Sequence, residues 1–210
     1  MATVEQIPPL VAGDKLTAKE FLRRYENMPQ MKLAELIGGV VYMPSPVSVE
    51  HADMDTLVSG WLAYYAAFTP GCVGSSNGTW IMSDEDAPQP DISLRLLPEY
   101  GGQSQVEGRY PCGAPEFVIE ICLSSKAYDL NKKLKLYERK GVREYMAVLL
   151  EEKQLRWHVL RNGVFQLLPE PADHIYRSEV FPGLWLNGQA LLDGNMAEVL
   201  AILQQGLQSA

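Results

Sequence analysis

The chain has 210 residues and a formal net charge of −8, from 18 Lys+Arg against 26 Asp+Glu, with 47% hydrophobic and 21% charged residues. That balance belongs to a globular chain rather than a disordered one, and the length suffices for one large domain or two small ones with a buried core. No apolar run approaches a membrane span, the start lacks a basic-then-apolar leader, and three cysteines without a CxxC pair exclude a disulfide scaffold and a cysteine zinc knot, so a cytoplasmic protein of a reducing compartment is expected.

Thr17-Ala18-Lys19-Glu20 has capping-box spacing and predicts a helix over about residues 18–27. LAELIGGVVYMPSP reads as strand, Gly38-Gly39 turn and strand, broken by Pro44 and Pro46. From Val49 to Phe68 the apolar residues Met54, Leu57, Val58, Trp61, Leu62 and Tyr65 recur at helical spacing, and Pro70-Gly71 ends that helix. Short strands are expected at Cys72–Val73, Thr79–Met82 and Ile92–Leu96, followed by a Gly- and Pro-rich surface loop over 98–115.

Glu116–Cys122 then reads as a strand, and a helix runs from about Tyr128 to Lys140, with Gly141 as its C′ residue. Glu144–Leu150 and Leu155–Leu160 alternate as strands, and Asn162-Gly163 turns the chain into Val164–Leu168. Asn195-Met196-Ala197-Glu198 caps a last helix ending near Leu207. The pattern predicts a single α/β domain over 1–210 with a mixed central sheet flanked by helices. Its expected parts are 1–70 (helix, hairpin, long helix), a core over 71–170 and a carboxy-terminal extension over 171–210.

An acidic total argues against a protein that coats nucleic acid indiscriminately. Residues 126–143 are an exception, with seven Lys/Arg and two acids, a local +5 against −13 for the remainder. They form either a solvated helix face or a basic edge that meets one polyanion locally, and composition does not choose between them.

Glu120 carries the most information. It stands inside Phe117-Val118-Ile119-Glu120-Ile121-Cys122-Leu123, sharing a strand face with Val118 and Cys122. An unpaired carboxylate there costs several kcal/mol or is held neutral, unless a cation neutralises it or the strand is an edge with Glu120 facing water. Asp91, after Pro90 and at the start of the apolar run Ile92–Leu96, is its natural partner, or else a turn aspartate. Two carboxylates on neighbouring strands are hard oxygen ligands of the kind Mg²⁺ prefers. On the helix over 128–140, Leu130, Leu134, Tyr137 and Gly141 form the inward stripe; Lys132, Lys135 and Arg139 point away from it, and Lys133 and Lys140 flank it. Lys133 lies nearer the helix start, hence nearer the end of the Glu120 strand. It is placed to hold a phosphate oxygen or an attacking water, or else is an ordinary flanking lysine.

These residues, Pro90-Asp91, Glu120, Ser124-Ser125-x-x-Tyr128-Asp129-x-x-x-Lys133-x-x-x-Tyr137 and Gly141-Val142-x-Glu144-Tyr145, resemble the Uma2 family. Upstream, Thr17-x-x-Glu20-Phe21-Leu22, Glu35-Leu36-Ile37-x-Gly39, Pro44–Pro46 and His51 fit it as well. The family is read as restriction endonucleases with the PD-(D/E)xK fold. The resemblance implies hydrolysis of DNA phosphodiesters with Mg²⁺, or Mn²⁺ as substitute, on Asp91 and Glu120. It implies Lys133 as the catalytic lysine, since Cys122 holds the parent motif's lysine position. Glu35 is then a further acid, and His51, Asp129 and Tyr137 surround the ligands. Lys132, Lys135, Arg139 and Lys140 would seat the DNA backbone, and a homodimer is expected for a cutter of duplexes, with the last helix as contact or else packed on its own core. Gly38, Leu123 and Met146 depart from the family pattern. With the acidic net charge, they motivate the alternative of a nuclease-fold protein that binds or regulates without cutting.

Other signals are set aside. Gly74-Ser75-Ser76-Asn77-Gly78 matches GxSxG but lacks a helix after the serine, and His51, His158 and His174 show no metal-site spacing. No phosphate-binding GxxxxGK[ST] or dinucleotide-binding GxGxxG occurs.

Overall fold

The computed structural model describes residues 7–31, 33–43, 46–123 and 127–210, with the backbone alone for 127–130. Helix α1 (Ala18–Tyr25), strands β1 (Glu35–Ile37) and β2 (Val40–Tyr42), helix α2 (Val49–Phe68), and strands β3 (Cys72–Ser76), β4 (Ile92–Leu96), β5 (Gln105–Glu107), β6 (Tyr110–Cys112) and β7 (Phe117–Cys122) come first. Helix α3 (Ala127–Lys140), β8 (Glu144–Leu149), β9 (Gln154–Arg161), β10 (Val164–Leu167), β11 (Ile175–Arg177), β12 (Trp185–Asn187), α4 (Gly188–Leu192) and α5 (Met196–Ser209) follow.

Six strands form one mixed sheet in the order β10-β9-β8-β7-β4-β3. β7 and β8 run parallel, which requires a crossover, and α3 supplies it. The other neighbours pair antiparallel. Both faces of the central strands are covered, so β7 and β8 are apolar on both faces apart from Glu120 and Glu144.

The period-2 geometry sorts β7 between two cores. Phe117, Ile119 and Ile121 join Ile92, Leu94, Met146, Val148 and Trp157 beneath α2 and α5. Val118 and Cys122 face α3 with Tyr145, Ala147 and Leu149, against Leu136 and Tyr137 of the helix. Helix α2 is capped by Ser48 and buries Met54, Val58, Trp61, Leu62 and Tyr65, the stripe its sequence predicts. The Trp61 indole donates to the Trp185 carbonyl at 3.0 Å, and the Tyr65 hydroxyl donates to that of Pro182 at 2.8 Å, tying α2 to the carboxy-terminal segment. Helix α5, capped by Asn195, buries Val199, Ile202, Leu203 and Gly206 against its own chain rather than offering an apolar face outward.

A third apolar cluster, with Phe21, Leu36, Val41 and Ala87, holds α1 and the β1–β2 hairpin. Leu36 and Ala87 exchange backbone hydrogen bonds at 3.1 and 2.8 Å, which fixes β1 against the segment leading to Asp91. Gly38 and Gly39 turn the hairpin at φ 57° and 73°, a pair of positive angles that glycine adopts without strain.

The structure differs from the sequence reading in places. Thr79–Met82 is an extended segment rather than a ladder strand. Trp80, Ile81 and Met82 donate to the carbonyls of Pro88, Pro111 and Asp86 respectively, and the facing prolines have no N–H to return. The 98–115 loop carries a small hairpin with β5 exposed and β6 half-buried. The β11–β12 pair and α4 have no strong sequence signal, being three to five residues each. Ser76 ends β3 and is followed by Asn77 in a left-handed turn at φ 52°, so no helix leaves the serine.

Candidate active site

The antiparallel register of β4 and β7 places Ile92 opposite Ile119, so Asp91, one residue before, falls beside Glu120, one residue after. Ile92 and Ile119 belong to the core beneath α2, which leaves Asp91 and Glu120 to the α3 side. Glu120 is 4% exposed and is followed and preceded by buried residues of β7, Ile121 and Ile119. Asp91 is fixed by the Ile121 N–H, which donates to Oδ2 at 2.7 Å. His51 Nε2, from the first turn of α2, lies 3.3 Å from the same oxygen.

Lys133 comes down from α3 onto this pair of strands. Its Nζ stands 3.0 Å from each oxygen of Glu120 and 3.0 Å from Oε1 of Glu35. The Tyr137 hydroxyl, one helical turn further on, donates to Glu120 Oε1 at 2.7 Å. Glu35 is 6% exposed, and the same oxygen that meets Lys133, Oε1, also accepts from the Gln89 N–H at 2.8 Å. Because Leu36 fills the core beside Ala87, its neighbour Glu35 turns toward the lysine.

Burial pushes the Glu120 carboxyl up to about 8; the Lys133 charge opposes that rise, and the charges of Asp91 and Glu35 add to it. For Lys133 burial works against the charged form, but Glu120, Glu35 and Asp91 outweigh it and hold the ammonium protonated far into the alkaline range. The hydrogen bond to Asp91 likewise raises His51 above the ordinary histidine value, against the effect of burial. Two carboxyl groups, Glu120 and Glu35, thus contact one ammonium in a mostly buried place, and Asp91 acts on both Glu120 and Lys133 through its charge.

Sequence reasoning named Asp91, Glu120, Lys133, Glu35, His51 and Tyr137, and the structure brings all six together. The side chain of Asp129 lies outside the described residues. The basic residues of α3 have more varied surroundings than a single outward face. Lys132 donates to the Tyr42 hydroxyl at 2.8 Å and sits over its ring. Lys140 and Arg139 both reach Asp86 Oδ2, at 2.9 and 3.0 Å, and Lys135 is exposed. Asp86, 1% exposed, also accepts from the Gly38 N–H at 2.8 Å and so locks the β1–β2 turn to α3. Neither Asp86 nor Gln89 gave a sequence signal, since each acts through a tertiary contact.

The departures from the family pattern lie mostly off the site. Gly38 occupies the hairpin turn, and Met146 is buried in the core across the sheet from Glu120. Leu123 is 40% exposed just past β7. Two further buried acids are structural: Glu116 accepts from the Leu96 and Gln103 N–H groups, and Glu144 accepts from Ser178, Glu179 and Val180.

No curated protein matches the sequence. Among solved structures, the crystal structure of a protein described as a putative nuclease belonging to DUF820, from Anabaena variabilis ATCC 29413, is similar with a TM-score of 0.64. That similarity covers 81% of this chain and 98% of the other at 16% identity, so it bears on the fold alone. A family model described as Uma2, putative restriction endonuclease, matches residues 18–189, and the chain belongs to that family.

Proposed function

We propose that this protein is a divalent-cation-dependent nuclease that hydrolyses DNA phosphodiester bonds at the Asp91–Glu120–Lys133 cluster. One observation carries the reading: Glu120 and Glu35 each stand 3.0 Å from Lys133 Nζ and Asp91 lies beside Glu120 on the neighbouring strand, a crowding of acids that a divalent cation would relieve. The donor set suits Mg²⁺ or Mn²⁺, which take one or two carboxylates and keep several waters. Among the described residues no group of three or more His, Cys, Asp or Glu forms a metal cage, and such a site does not require one. Asp91 and Glu120 would hold the ion, which supplies Lewis-acid polarisation of the phosphoryl oxygen and a more acidic water.

The chain's own groups do the rest. The Ile121 N–H and His51 fix one Asp91 oxygen and so orient the carboxylate. Tyr137 fixes Glu120 in the same way. Lys133, protonated throughout the neutral range, stabilises negative charge gathering on the phosphoryl oxygens. Lys132, Lys135, Arg139 and Lys140 line one helix and contact the phosphate backbone, with a salt-dependent contribution to affinity. Arg139 and Lys140 share that role with Asp86, so exposed Lys135 has the least competition. Cleavage of both strands of a duplex calls for two copies of the site, hence a homodimer on that substrate.

A second reading has one contact in its favour. Lys133 and Tyr137 already engage both Glu120 oxygens, an arrangement that suits a nuclease-fold protein that binds nucleic acid without cutting it. Incubating single-stranded and duplex DNA with wild type and Glu120→Gln, in Mg²⁺ and in Mn²⁺, decides between them. Cleavage by wild type that is lost in the variant supports the nuclease, and intact DNA in every arm supports the binder.

A further inference from the structure

Beside the carboxylate cluster, and sharing a wall with it, lies a cavity of about 430 Å³. Leu33, Val47 and Ala52 give it an apolar lining, while Asp55, Asn77 and Gln89 supply polar groups. It joins the site at three points. His51 lines it and contacts Asp91; the Asn77 N–H donates to the Asp91 carbonyl at 2.9 Å; and the Gln89 N–H donates to Glu35. Anything bound here is one residue away from a group held at Asp91.

The lining selects a chemistry. Gln89 is already spent, its amide donating to the Asn77 carbonyl and accepting from the Ala34 N–H. Asn77 uses its amide N–H₂ on Ser76, leaving its side-chain oxygen as an acceptor. Asp55 accepts from Ser59 at 3.2 Å and, with up to four lone-pair sites, keeps acceptor capacity. A carboxylate repels phosphate, so the occupant is the uncharged part of a nucleotide. The apolar residues, Val47 among them at 52% exposed, offer it an apolar contact surface.

We propose that this cavity receives the nucleobase of an unpaired nucleotide next to the scissile phosphate, and favours guanine, whose adjacent N1–H and N2–H₂ donors match the Asp55 carboxylate. The unpaired base comes either from single-stranded DNA or from a nucleotide turned out of a duplex. This inference rests on the nuclease reading for the position of the phosphate.

Fluorescence anisotropy in Ca²⁺ tests it without turnover. The probes are single-stranded oligonucleotides with or without guanine, a duplex with one mismatch, and the same duplex fully paired. Asp55→Asn is isosteric and Ala52→Phe fills the cavity from an exposed helix position, so both keep the fold. Wild type is expected to bind guanine-containing single strands at least fivefold better than guanine-free ones. Both variants remove that preference, and binding of the mismatched duplex by wild type alone identifies the turned-out base as the source. Equal binding of all probes by all three proteins, tightest binding to the paired duplex, or no binding at all overturns the proposal. Cleavage assays separate the two claims: cutting with no change in base preference in the variants leaves the nuclease and removes the pocket, while variant-sensitive binding without cutting does the reverse.

Discussion

Lys133 Nζ is equidistant, at 3.0 Å, from both oxygens of Glu120, and it touches Glu35 at the same distance. Removing one partner of a buried ion pair leaves an uncompensated charge, at a cost of about 3–5 kcal/mol. Lys133→Met is therefore expected to lower the thermal midpoint clearly and to abolish cleavage, and Lys133→Arg does not rescue it, because the planar guanidinium cannot reproduce a three-way contact from one nitrogen. Calorimetric melting and a cleavage assay on the two variants check this. An unchanged midpoint in Lys133→Met contradicts the buried pairing.

Tyr137→Phe removes a hydroxyl that donates to Glu120 at 2.7 Å. Such a hydrogen bond contributes about 0.5–1.5 kcal/mol to a neutral carboxyl and about 1.5–3 kcal/mol to the charged one, which Glu120 becomes above its raised value of about 8. The variant should lose stability on that order and cut at least about tenfold more slowly, since Glu120 is then held by Lys133 alone among the described residues. Cleavage at the wild-type rate would show that the tyrosine only packs.

Glu144 is fully buried, and burial raises its carboxyl to about 7 although Ser178, Glu179 and Val180 donate to it. The folded state thus holds this proton more tightly than the unfolded one. Its contribution to stability is greatest below the unfolded value and falls as pH rises from 4.5 to about 7, by at most roughly 3 kcal/mol. Glu144→Gln keeps an oxygen for the two backbone N–H groups and turns its amide to Ser178. The variant should lose this part of the pH dependence and be at least as stable as wild type at pH 8. Denaturant melts from pH 4 to 8 measure the difference, and parallel curves for the two proteins would refute the assignment.

Much of the site was legible because a charged residue inside an apolar strand is conspicuous. Glu120 announces itself by its neighbours, and Lys133 was reached as a residue flanking an expected stripe of Leu130, Leu134, Tyr137 and Gly141, whereas α3 buries Leu136 and Tyr137 and leaves Leu134 half-buried. Glu35 was reached only through the family resemblance, since its contact with Lys133 spans nearly a hundred residues. The fold was legible where periodicity runs long, as in α2 and β9, and where turn chemistry is explicit, as at Asn162-Gly163 with φ 53° and 79°. It was not legible at Thr79–Met82, where apolar and β-branched residues suggest a strand and the facing prolines withhold the ladder. The role of Asp86 was hidden for a similar reason: its partners Gly38, Arg139 and Lys140 come from two distant segments.

Helix α5 approaches the 181–185 turn so closely that a Cβ at Gly206 would press into the Gly183 carbonyl and meet the Trp185 ring at 2.8 Å. Backbone cannot give way as a side-chain tip does. Gly206→Ala is expected to cost about 1–3 kcal/mol, while cleavage per folded molecule is unchanged because α5 packs away from Asp91 and Glu120. Melting together with specific activity checks both halves, and a variant as stable as wild type would show that the helix docks less tightly.

Titration of Mn²⁺ into wild type, Asp91→Asn and Glu120→Gln by calorimetry tests the central claim most directly. The account predicts saturable binding to wild type that weakens at least about tenfold in each variant, since each loses one of two anionic ligands. Equal affinity in all three proteins, with each shown to be folded, would contradict it.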